Sequence, residues 1–285
     1  MVLSSPAKLN LALRVIAKRK DGFHELVTLF HLISLKDTLV LQKQREGIHL
    51  FCSHPRVPER KNLIIRAFYL LKAERPFKGG VTVRLTKRIP VGGGLGGGSS
   101  NAAAFLVGMN RMYRLGLSRN RLMKLGEKLG SDIPFFVSGI SHGMGWGKGE
   151  RIKPLPFKRK LGFILFPSER GLSTREVYSG SHLTRSLALT RVKRDVKMAS
   201  AFLEKGKLVE ASRFLTNDLT KSAEHIRPSI KKTREILSGL QLGTCQMSGS
   251  GPTLFIFFFH SPEGPASVSS VTPSTSIQKG HFLPF

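Results

Sequence analysis

The chain carries the segment Pro90-Val-Gly-Gly-Gly-Leu-Gly-Gly-Gly-Ser-Ser-Asn-Ala-Ala103, in which six of the seven positions from Gly92 to Gly98 are glycine. Glycine lets the backbone turn sharply and leaves its N–H groups unshielded. A helix that starts directly behind such a loop adds the positive end of its dipole, and the combination favours a triphosphate ligand. A flexible linker is the alternative, but a linker needs neither the preceding proline nor the small residues that follow.

The segments on either side of this first glycine loop, Gly92–Gly98, predict the order strand, loop, helix. Residues Val81 to Lys87 alternate apolar and non-apolar side chains, which indicates a half-buried strand that Pro90 ends. Ser99-Ser100-Asn101 are good N-cap residues, and apolar residues from Ala102 to Met112 follow at helical spacing. The loop therefore joins a strand to a helix.

Two common nucleotide motifs are disfavoured. The loop satisfies G-x-G-x-x-G, but the nearest acidic residue after it is Glu127, too far along for the ribose-binding position of a dinucleotide fold. No G-x-x-x-x-G-K-[ST] segment is present, which argues against a Walker-type phosphate loop.

Beyond the loop, a second helix is predicted over Arg119 to Leu129 and is closed by Gly130. Ser131-Asp132-Ile133-Pro134 is predicted as a turn that leads to the apolar Phe135-Phe136-Val137. Asp132 is therefore expected at a junction between elements.

The composition shifts near residue 155, where we place a lobe boundary between residues 1–155 and 156–285. Ser, Pro and Thr are frequent in residues 260–276, so a loop or a disordered tail is expected there, with a possible last strand from Gly280 to Phe285. The other elements predicted for the second lobe are strands at Leu161 to Phe166 and Leu254 to Phe259, helices at about 192–204, 207–218 and 227–239, and a second glycine loop, Ser248–Gly251.

Composition sets outer limits on the class of protein. The chain has 285 residues, 40% of them hydrophobic, which is enough for a sizeable core in two lobes and excludes general disorder. Its two cysteines stand in no metal or disulfide pattern, and its longest apolar run, Leu254 to Phe259, is too short to span a bilayer. We expect a soluble protein of the cytoplasm.

The charge is strongly positive, with 46 Lys and Arg against 18 Asp and Glu, a formal net charge of +28. Such a charge favours anionic partners: nucleic acid, a membrane surface, or small polyanions such as nucleotides. The basic residues form short scattered clusters without an aromatic-interleaved RNA-binding signature. A solvated basic surface is therefore expected, and neither nucleic acid nor a membrane is expected as a partner.

Four ordered segments resemble the GHMP small-molecule kinases. The first glycine segment is similar to their ATP-binding motif, Pro-x-x-x-Gly-Leu-Gly-Ser/Gly-Ser-Ser-x-Ala-Ala. The resemblance implies an α+β, two-lobe GHMP kinase fold, with an N-terminal ribosomal-S5-like lobe and a C-terminal ferredoxin-like α/β lobe. The other matching segments are Ser5 to Leu11 with Lys20 to Phe30, Gly130 to Phe136, and Met247 to Thr253.

Those segments are most similar to the branch that phosphorylates the 2-hydroxyl of 4-diphosphocytidyl-2-C-methyl-D-erythritol with ATP, in the non-mevalonate (MEP) isoprenoid pathway. The sequence departs from the family at Ser261 to Ser276, which is unsuited to the usual closing helix. Two alternatives stay open: another small-alcohol kinase of the homoserine or mevalonate type, and a basic nucleic-acid-binding protein on the same fold. The second would predict damaged catalytic positions, whereas Lys8 and Asp132 are intact.

Two residues are the candidates for catalysis. The resemblance implies that Asp132 is the general base that receives the acceptor's hydroxyl proton. Lys8 lies in an apolar segment where an unpaired ammonium would be costly, so it must face solvent or a carboxylate. In the family the matching lysine neighbours the aspartate and polarises the acceptor hydroxyl, and Asn10 lies near the substrate diol.

The resemblance also implies a cytosine pocket. Phe23 would stack on the base, His24 would bind its edge, and Tyr178 would complete the stack from the second lobe. Thr174 and Gly249 are further expected substrate contacts, because Gly249 belongs to the glycine loop that packs beside the first one. Surface or core roles are the alternatives for these residues, most of all for Tyr178.

For ATP, the backbone N–H groups of the first loop are expected to hold the phosphates, with a Ser99 or Ser100 hydroxyl adding a contact. Lys87 and Asn62 match family positions near the adenosine. The alternative for Lys87 is that it is an exposed lysine of a strand with no role in binding. Mg²⁺ is expected with ATP, but the sequence contains no cluster of carboxylates that would identify its ligands. The protein is expected to be a monomer or a weak homodimer. The predicted ATP-binding set is Asn62, Lys87, Pro90, Val91, Gly92, Gly93, Gly94, Leu95, Gly96, Gly97, Gly98, Ser99 and Ser100.

Overall fold

Two sheets and the helices that cover them make up the fold. The computed structural model describes residues 1–55, 62–168, 170–181, 188–240, 243–259 and 278–281. No helix in these ranges is both long and apolar enough to cross a membrane.

The first sheet is organised around one long hairpin of β1 (Val2–Lys18) and β2 (His24–Gln44). The first half of β2 pairs with β5 and its second half with β4, so β2 connects the two parts of the sheet. The strand order is β3-β4-β2-β5-β6, with β1 beside β2. The remaining strands of this sheet are β3 (Ile48–Cys52), β4 (Gly80–Thr86), β5 (His142–Gly147) and β6 (Arg151–Pro154).

Four helices of the first lobe share a buried apolar cluster with this sheet. Their apolar residues, such as Phe68, Phe105 and Leu122, join Leu41 and Val83 of the sheet in one buried cluster. These helices are α1 (Leu63–Glu74), α2 (Gly97–Met112), α3 (Arg119–Glu127) and α4 (Ile133–Ser138).

The second sheet has the order β10-β7-β9-β8 and is antiparallel throughout. Its strands are β7 (Leu161–Phe166), β8 (Thr244–Met247), β9 (Leu254–Phe259) and β10 (Gln278–His281). The helices of this half are α5 (Thr174–Ser179), α6 (Leu189–Glu204), α7 (Leu208–Ser212), α8 (Thr220–Ile226) and α9 (Pro228–Gly239).

A shared core joins the two sheets. Leu9 and Leu29 of the hairpin pack in the same buried cluster as Phe163 and Phe257 of the second sheet and Val196 of α6. Because β1 and β2 are covered on both faces, most of their middle residues are buried. The hairpin is therefore the rigid base on which the cleft between the two halves is built.

Three of the four predicted strands are confirmed, since β4, β7 and β9 occupy the predicted segments. The predicted start of the helix behind the first glycine loop was wrong. The helix α2 starts at Gly97 rather than behind Ser99-Ser100-Asn101, because Gly97 and Gly98 take up helical geometry and the Ser100 N–H donates to the Gly96 carbonyl at 2.8 Å. The loop thus ends inside the helix's first turn.

Other boundaries also differ from expectation. The helix α3 ends at Glu127, where the N–H groups of Leu129 and Gly130 both turn back to the Gly126 carbonyl, and the apolar segment around Phe135 is the helix α4. Only residues 208–212 of the predicted helix 207–218 are helical. The expected tail at 260–276 and residues 282–285 lie outside the described ranges, whereas residues 278–281 pair with β7. The boundary near 155 stays a prediction.

Candidate active site

A cleft of about 500 Å³ opens between the hairpin, the two glycine loops and the start of α4. It gathers residues that lie far apart in the sequence. From the predicted set it is lined by Lys8, Asn10, Asn62, Lys87, Pro90, Val91, Gly92, Gly93, Gly94, Leu95, Gly96, Gly97, Gly98, Ser99, Asp132, Thr174, Tyr178 and Gly249.

Lys8 and Asp132 meet in this cleft. The Nζ atom of Lys8, on β1, lies 3.3 Å from Oδ2 of Asp132, which stands just before α4. The ion pair anticipated from the apolar surroundings of Lys8 is therefore present. Nζ also donates to the Gly94 carbonyl at 3.0 Å and to the side-chain oxygen of Asn10. The ammonium thus links the first glycine loop to the carboxylate.

Asn10 is held at both ends of its amide. Its Oδ1 accepts from Lys8, and its Nδ2 donates to the Thr28 hydroxyl at 2.7 Å. The Thr28 hydroxyl in turn donates to the Ala12 carbonyl at 2.7 Å. This chain fixes the side chain of Asn10, which in turn orients the ammonium of Lys8. Thr28 was not recognised from the sequence because it resembles an ordinary strand residue.

The first glycine loop approaches the second so closely at Gly94 that no side chain fits there. Gly94 has a φ of +76°, and a Cβ atom there would overlap the carbonyl oxygen of Ser248. The Ser248 hydroxyl donates to the Gly94 carbonyl at 3.0 Å. The loops therefore form one surface, with the N-terminus of α2 directly behind it. Backbone N–H groups and a helix dipole in this arrangement suit an anion.

Asn217 positions the second glycine loop. Its Nδ2 donates to the carbonyl oxygens of Met247 at 2.7 Å and Gly249 at 2.8 Å. Gly249 has a φ of +59°, and its Cα faces Asn10 so closely that a Cβ atom would lie 3.1 Å from Oδ1. Asn217 was missed because no pattern around it distinguishes it from a surface asparagine.

The structure brings together some of the residues that were expected to bind a cytosine, and the pocket itself stays a prediction. The rings of His24 and Tyr178 lie 5.1 Å apart between centroids, and Tyr178 lines the cleft while His24 does not. Phe23 is 56% exposed and outside the cleft, with the Lys148 Nζ 5.2 Å from its ring centroid. Thr174 lies within hydrogen-bond distance of Ser250, at 3.0 Å between hydroxyl oxygens.

Burial shifts the pKa values of the two ring residues in opposite directions. Loss of solvent, with the Lys18 charge, lowers the pKa of His24 below its usual value. Burial and the nearby Asp132 carboxylate raise the pKa of Tyr178. Each shift favours the uncharged form of its side chain at neutral pH.

The side chains expected near ATP differ in what they contact. Ser99 lines the cleft, whereas Ser100 is buried behind it and accepts a hydrogen bond from the Ser5 hydroxyl at 2.8 Å. The side chain of Asn62 accepts from the Ile64 N–H at 2.9 Å and caps α1. Lys87 pairs with the buried Asp37. Ser131, from the segment that also carries Asp132, and Lys148, to which no motif in the sequence pointed, also line the cleft.

A divalent cation would find few ligands in the protein itself. No group of three or more His, Cys, Asp or Glu residues that could hold a metal ion occurs in the part of the chain that the structure describes. Of the described residues that line the cleft, Asp132 alone carries a carboxylate. Because Mg²⁺ in nucleotide sites binds through one or two carboxylates and the substrate's phosphates, this donor set fits a cation held chiefly by ATP.

Comparison with known proteins identifies the family. Residues 62–140 match the GHMP kinases N terminal domain, and residues 198–270 match the GHMP kinases C terminal domain. The first match contains the first glycine loop and Asp132, and the second contains the second glycine loop. Both glycine loops therefore lie in matched regions, whereas the hairpin residues Lys8 and Asn10 precede the first match.

Three of the similar curated proteins carry the same name. A 4-diphosphocytidyl-2-C-methyl-D-erythritol kinase of Acaryochloris marina is 39% identical over 268 residues, covering 89% of this chain and 85% of the relative. That of Syntrophus aciditrophicus is 37% identical over 89% of this chain and 88% of the relative. That of Desulfotalea psychrophila is 34% identical over 98% of this chain and 92% of the relative.

Solved structures agree with the sequence relatives. A crystal structure of 4-(cytidine 5'-diphospho)-2C-methyl-D-erythritol kinase superposes with a TM-score of 0.75 and 31% identity, covering 99% of this chain and 98% of that one. A homoserine kinase from Cytophaga hutchinsonii, 18% identical with a TM-score of 0.67 over 92% of this chain and 85% of that one, shares the fold. The chain belongs to the GHMP kinases and, within them, to the 4-diphosphocytidyl-2-C-methyl-D-erythritol kinases.

Proposed function

We propose that this chain transfers the γ-phosphate of ATP to the 2-hydroxyl of 4-diphosphocytidyl-2-C-methyl-D-erythritol, the phosphorylation step of the non-mevalonate isoprenoid pathway, and that Lys8 and Asp132 carry the chemistry. The observation that supports these roles is their contact of 3.3 Å at the mouth of the first glycine loop. Phosphoryl transfer needs positioning and charge neutralisation more than covalent help from the protein, and this arrangement offers both.

In this proposal the backbone of the first glycine loop and the start of α2 bind the triphosphate of ATP. Gly94 and Gly96 have φ values of +76° and +70°, which turn the chain around the phosphates, and Ser99 adds a hydroxyl at the cleft wall. The helix N-terminus contributes positive potential at the same place. Mg²⁺ delivered with ATP would be held chiefly by the phosphates and would neutralise their charge when bound, which leaves the Asp132 carboxylate for the hydroxyl proton.

The proton and the phosphoryl group move in opposite directions. The acceptor's 2-hydroxyl oxygen forms a bond to the γ-phosphorus, the bond from that phosphorus to the bridging oxygen of ADP breaks, and the hydroxyl proton passes to the Asp132 carboxylate. Lys8 lies beside Asp132 and holds it by charge. Because the ammonium of Lys8 also donates to the amide oxygen of Asn10, it is held in one orientation beside the carboxylate.

Selection of the acceptor would depend on the aromatic contacts at the other end of the cleft. Tyr178 offers a ring face there, and His24 packs against it. Stacking of a base on an aromatic ring contributes about 1–3 kcal/mol. A homoserine or mevalonate acceptor has no ring for such a contact, so these residues favour a cytidine-bearing substrate.

The test is release of ADP by the purified protein with ATP and Mg²⁺, with the cytidyl substrate, homoserine, mevalonate and galactose as separate acceptors. Release with the cytidyl substrate alone is the expected result. Release with another acceptor would discard the pocket argument, and a folded, ATP-binding protein that is inactive with all four acceptors would overturn the proposed reaction.

A further inference from the structure

A fully buried carboxylate lies beneath the first glycine loop, outside the cleft. Asp37, on β2, has no exposed surface. A buried charge is costly unless it is paired and hydrogen-bonded, and breaking such a pair leaves the remaining charge without a partner. The contacts of Asp37 are therefore needed to keep its charge inside the protein, and they take no part in the phosphoryl transfer proposed above.

The two oxygens of Asp37 hold the two ends of the loop. Oδ1 accepts from the backbone N–H groups of Arg88 at 2.7 Å and Ile89 at 2.9 Å, directly before Pro90. Oδ2 accepts from Nδ2 of Asn101 at 2.9 Å, in the first turns of α2. One carboxylate thus spans the entrance and the exit of the phosphate-binding segment.

Lys87 completes this cluster. Its ammonium pairs with Oδ2 of Asp37 and donates to Oδ1 of Asn101 at 3.2 Å, and its side chain is 4% exposed. Asn101 also donates to the Ser5 hydroxyl at 2.9 Å, which carries the network to β1. Lys87 therefore neutralises the buried carboxylate, and its charge is already balanced before any nucleotide arrives.

The loop needs such an anchor because its own residues restrain it little. Three glycines within it have φ values between +70° and +76°, a region that glycine enters and leaves freely. A flexible loop would have to be ordered when ATP binds, and that ordering reduces affinity. Fixing both ends beforehand lowers this cost.

We propose that Asp37 is a positioning residue for nucleotide binding: its carboxylate clamps Arg88 and Ile89 to Asn101 and so sets the spacing of the N–H groups that receive the triphosphate. The proposal rests on the proposed function to the extent that the first glycine loop binds ATP. Asp37 touches neither substrate, so its effect reaches the reaction only through the loop.

Replacing Asp37 by asparagine tests the clamp. Asp37→Asn keeps the shape but turns an amide N–H₂ group toward Lys87 or toward the backbone donors, so at least one end of the loop loses its acceptor. We expect the dissociation constant of a non-hydrolysable ATP analogue with Mg²⁺, measured by calorimetry, to rise about tenfold, or about 1.4 kcal/mol. The KM for ATP should rise in parallel, while the KM for the cytidyl acceptor stays within about twofold.

The matched control is Glu224→Gln. Glu224 forms a mostly buried ion pair with Arg234 between α8 and α9, and neither residue lines the cleft. The Glu224→Gln substitution should lower the melting temperature without changing the nucleotide dissociation constant. If Asp37→Asn likewise lowers only the melting temperature, or raises both KM values equally, Asp37 is merely structural and the proposal fails.

A second variant covers failure of the first to fold. Asn101→Ala leaves the Asp37–Lys87 ion pair in place and removes the side chain through which Asp37 holds the exit of the loop, together with its hydrogen bonds to Lys87 and Ser5. It should therefore raise the nucleotide dissociation constant, as Asp37→Asn does. An unchanged constant in a folded Asn101→Ala protein would overturn the clamp. Because calorimetry needs no acceptor, this result is independent of whether the cytidyl compound is the substrate.

Discussion

The ion pair of Lys8 and Asp132 is asymmetric: the lysine side chain is 4% exposed and the aspartate side chain 28%. The protein surrounds the ammonium, which also binds the Gly94 carbonyl and Asn10. The carboxylate keeps one face toward the cleft. A group that must receive a proton from a bound substrate needs this exposure, whereas a group that only supplies charge does not.

Replacing the carboxylate should separate catalysis from folding. Asp132→Asn keeps an oxygen next to Lys8, so we expect an unchanged melting temperature and nucleotide affinity, but kcat should fall by about a hundredfold to ten-thousandfold, because the amide cannot accept the proton. Asp195→Asn, which removes a carboxylate on α6 paired with Arg194, is the control and should keep full activity. Near-native turnover by Asp132→Asn would remove it from the base role.

Two glycines with nearly the same φ test the close approach of the loops. A Cβ atom at Gly94 (φ +76°) would meet the Ser248 carbonyl, whereas a Cβ atom at Gly116 (φ +69°) would have no neighbour within 4 Å. Alanine at either site strains the backbone by about 1 kcal/mol or more, but only Gly94→Ala should also displace the loop and abolish ATP binding. Calorimetric titration of both variants with the ATP analogue measures the difference. Equal affinities would contradict the packing argument.

The ring of Tyr178 should matter for the acceptor and not for ATP. Tyr178→Leu is expected to raise the KM for the cytidyl substrate about tenfold or more, because base stacking is lost, and to leave the nucleotide dissociation constant unchanged. Tyr69→Leu removes a tyrosine that is 60% exposed on α1 and serves as the control. If both variants show the same KM for the acceptor, Tyr178 does not contact the base.

A buried histidine pair should make stability depend on pH. Burial lowers the pKa of His142 to about 3 and holds that of His31, beside it, well below its usual value. Both are neutral when folded, while in the unfolded chain they take up protons below about pH 6.5. The free energy of unfolding therefore falls as the pH drops through this range, because the unfolded state binds more protons.

Urea unfolding between about pH 7.5 and about pH 5 checks this expectation. His142→Gln should show a smaller loss of stability over that range than the unsubstituted protein. His225→Gln replaces an exposed histidine of α8 and should show the same loss as the unsubstituted protein. Equal pH dependence in His142→Gln would mean that other groups cause the loss.

Local pattern was enough to identify the strand and the helix on either side of the first glycine loop, but not the β1–β2 hairpin or the helix α4. Alternation predicted β4, and the glycine run predicted a phosphate loop ahead of a helix. Local pattern failed where a polar side chain bonds to a segment that lies far away in the sequence. Ser100 and Asn101 looked like helix caps, but they lie inside α2 and bond to Ser5 and Asp37. Nothing in the local sequence indicates these partners.

Residue types at short, fixed spacings were sufficient to indicate the family, the two glycine loops and the candidate pair Lys8 and Asp132. The anchoring of those loops became visible only in three dimensions, where Asp37 holds both ends of the first loop and Asn217 holds the second. The physical reason is that these polar side chains are satisfied by groups far away in the chain, and such contacts leave no periodic trace in the sequence.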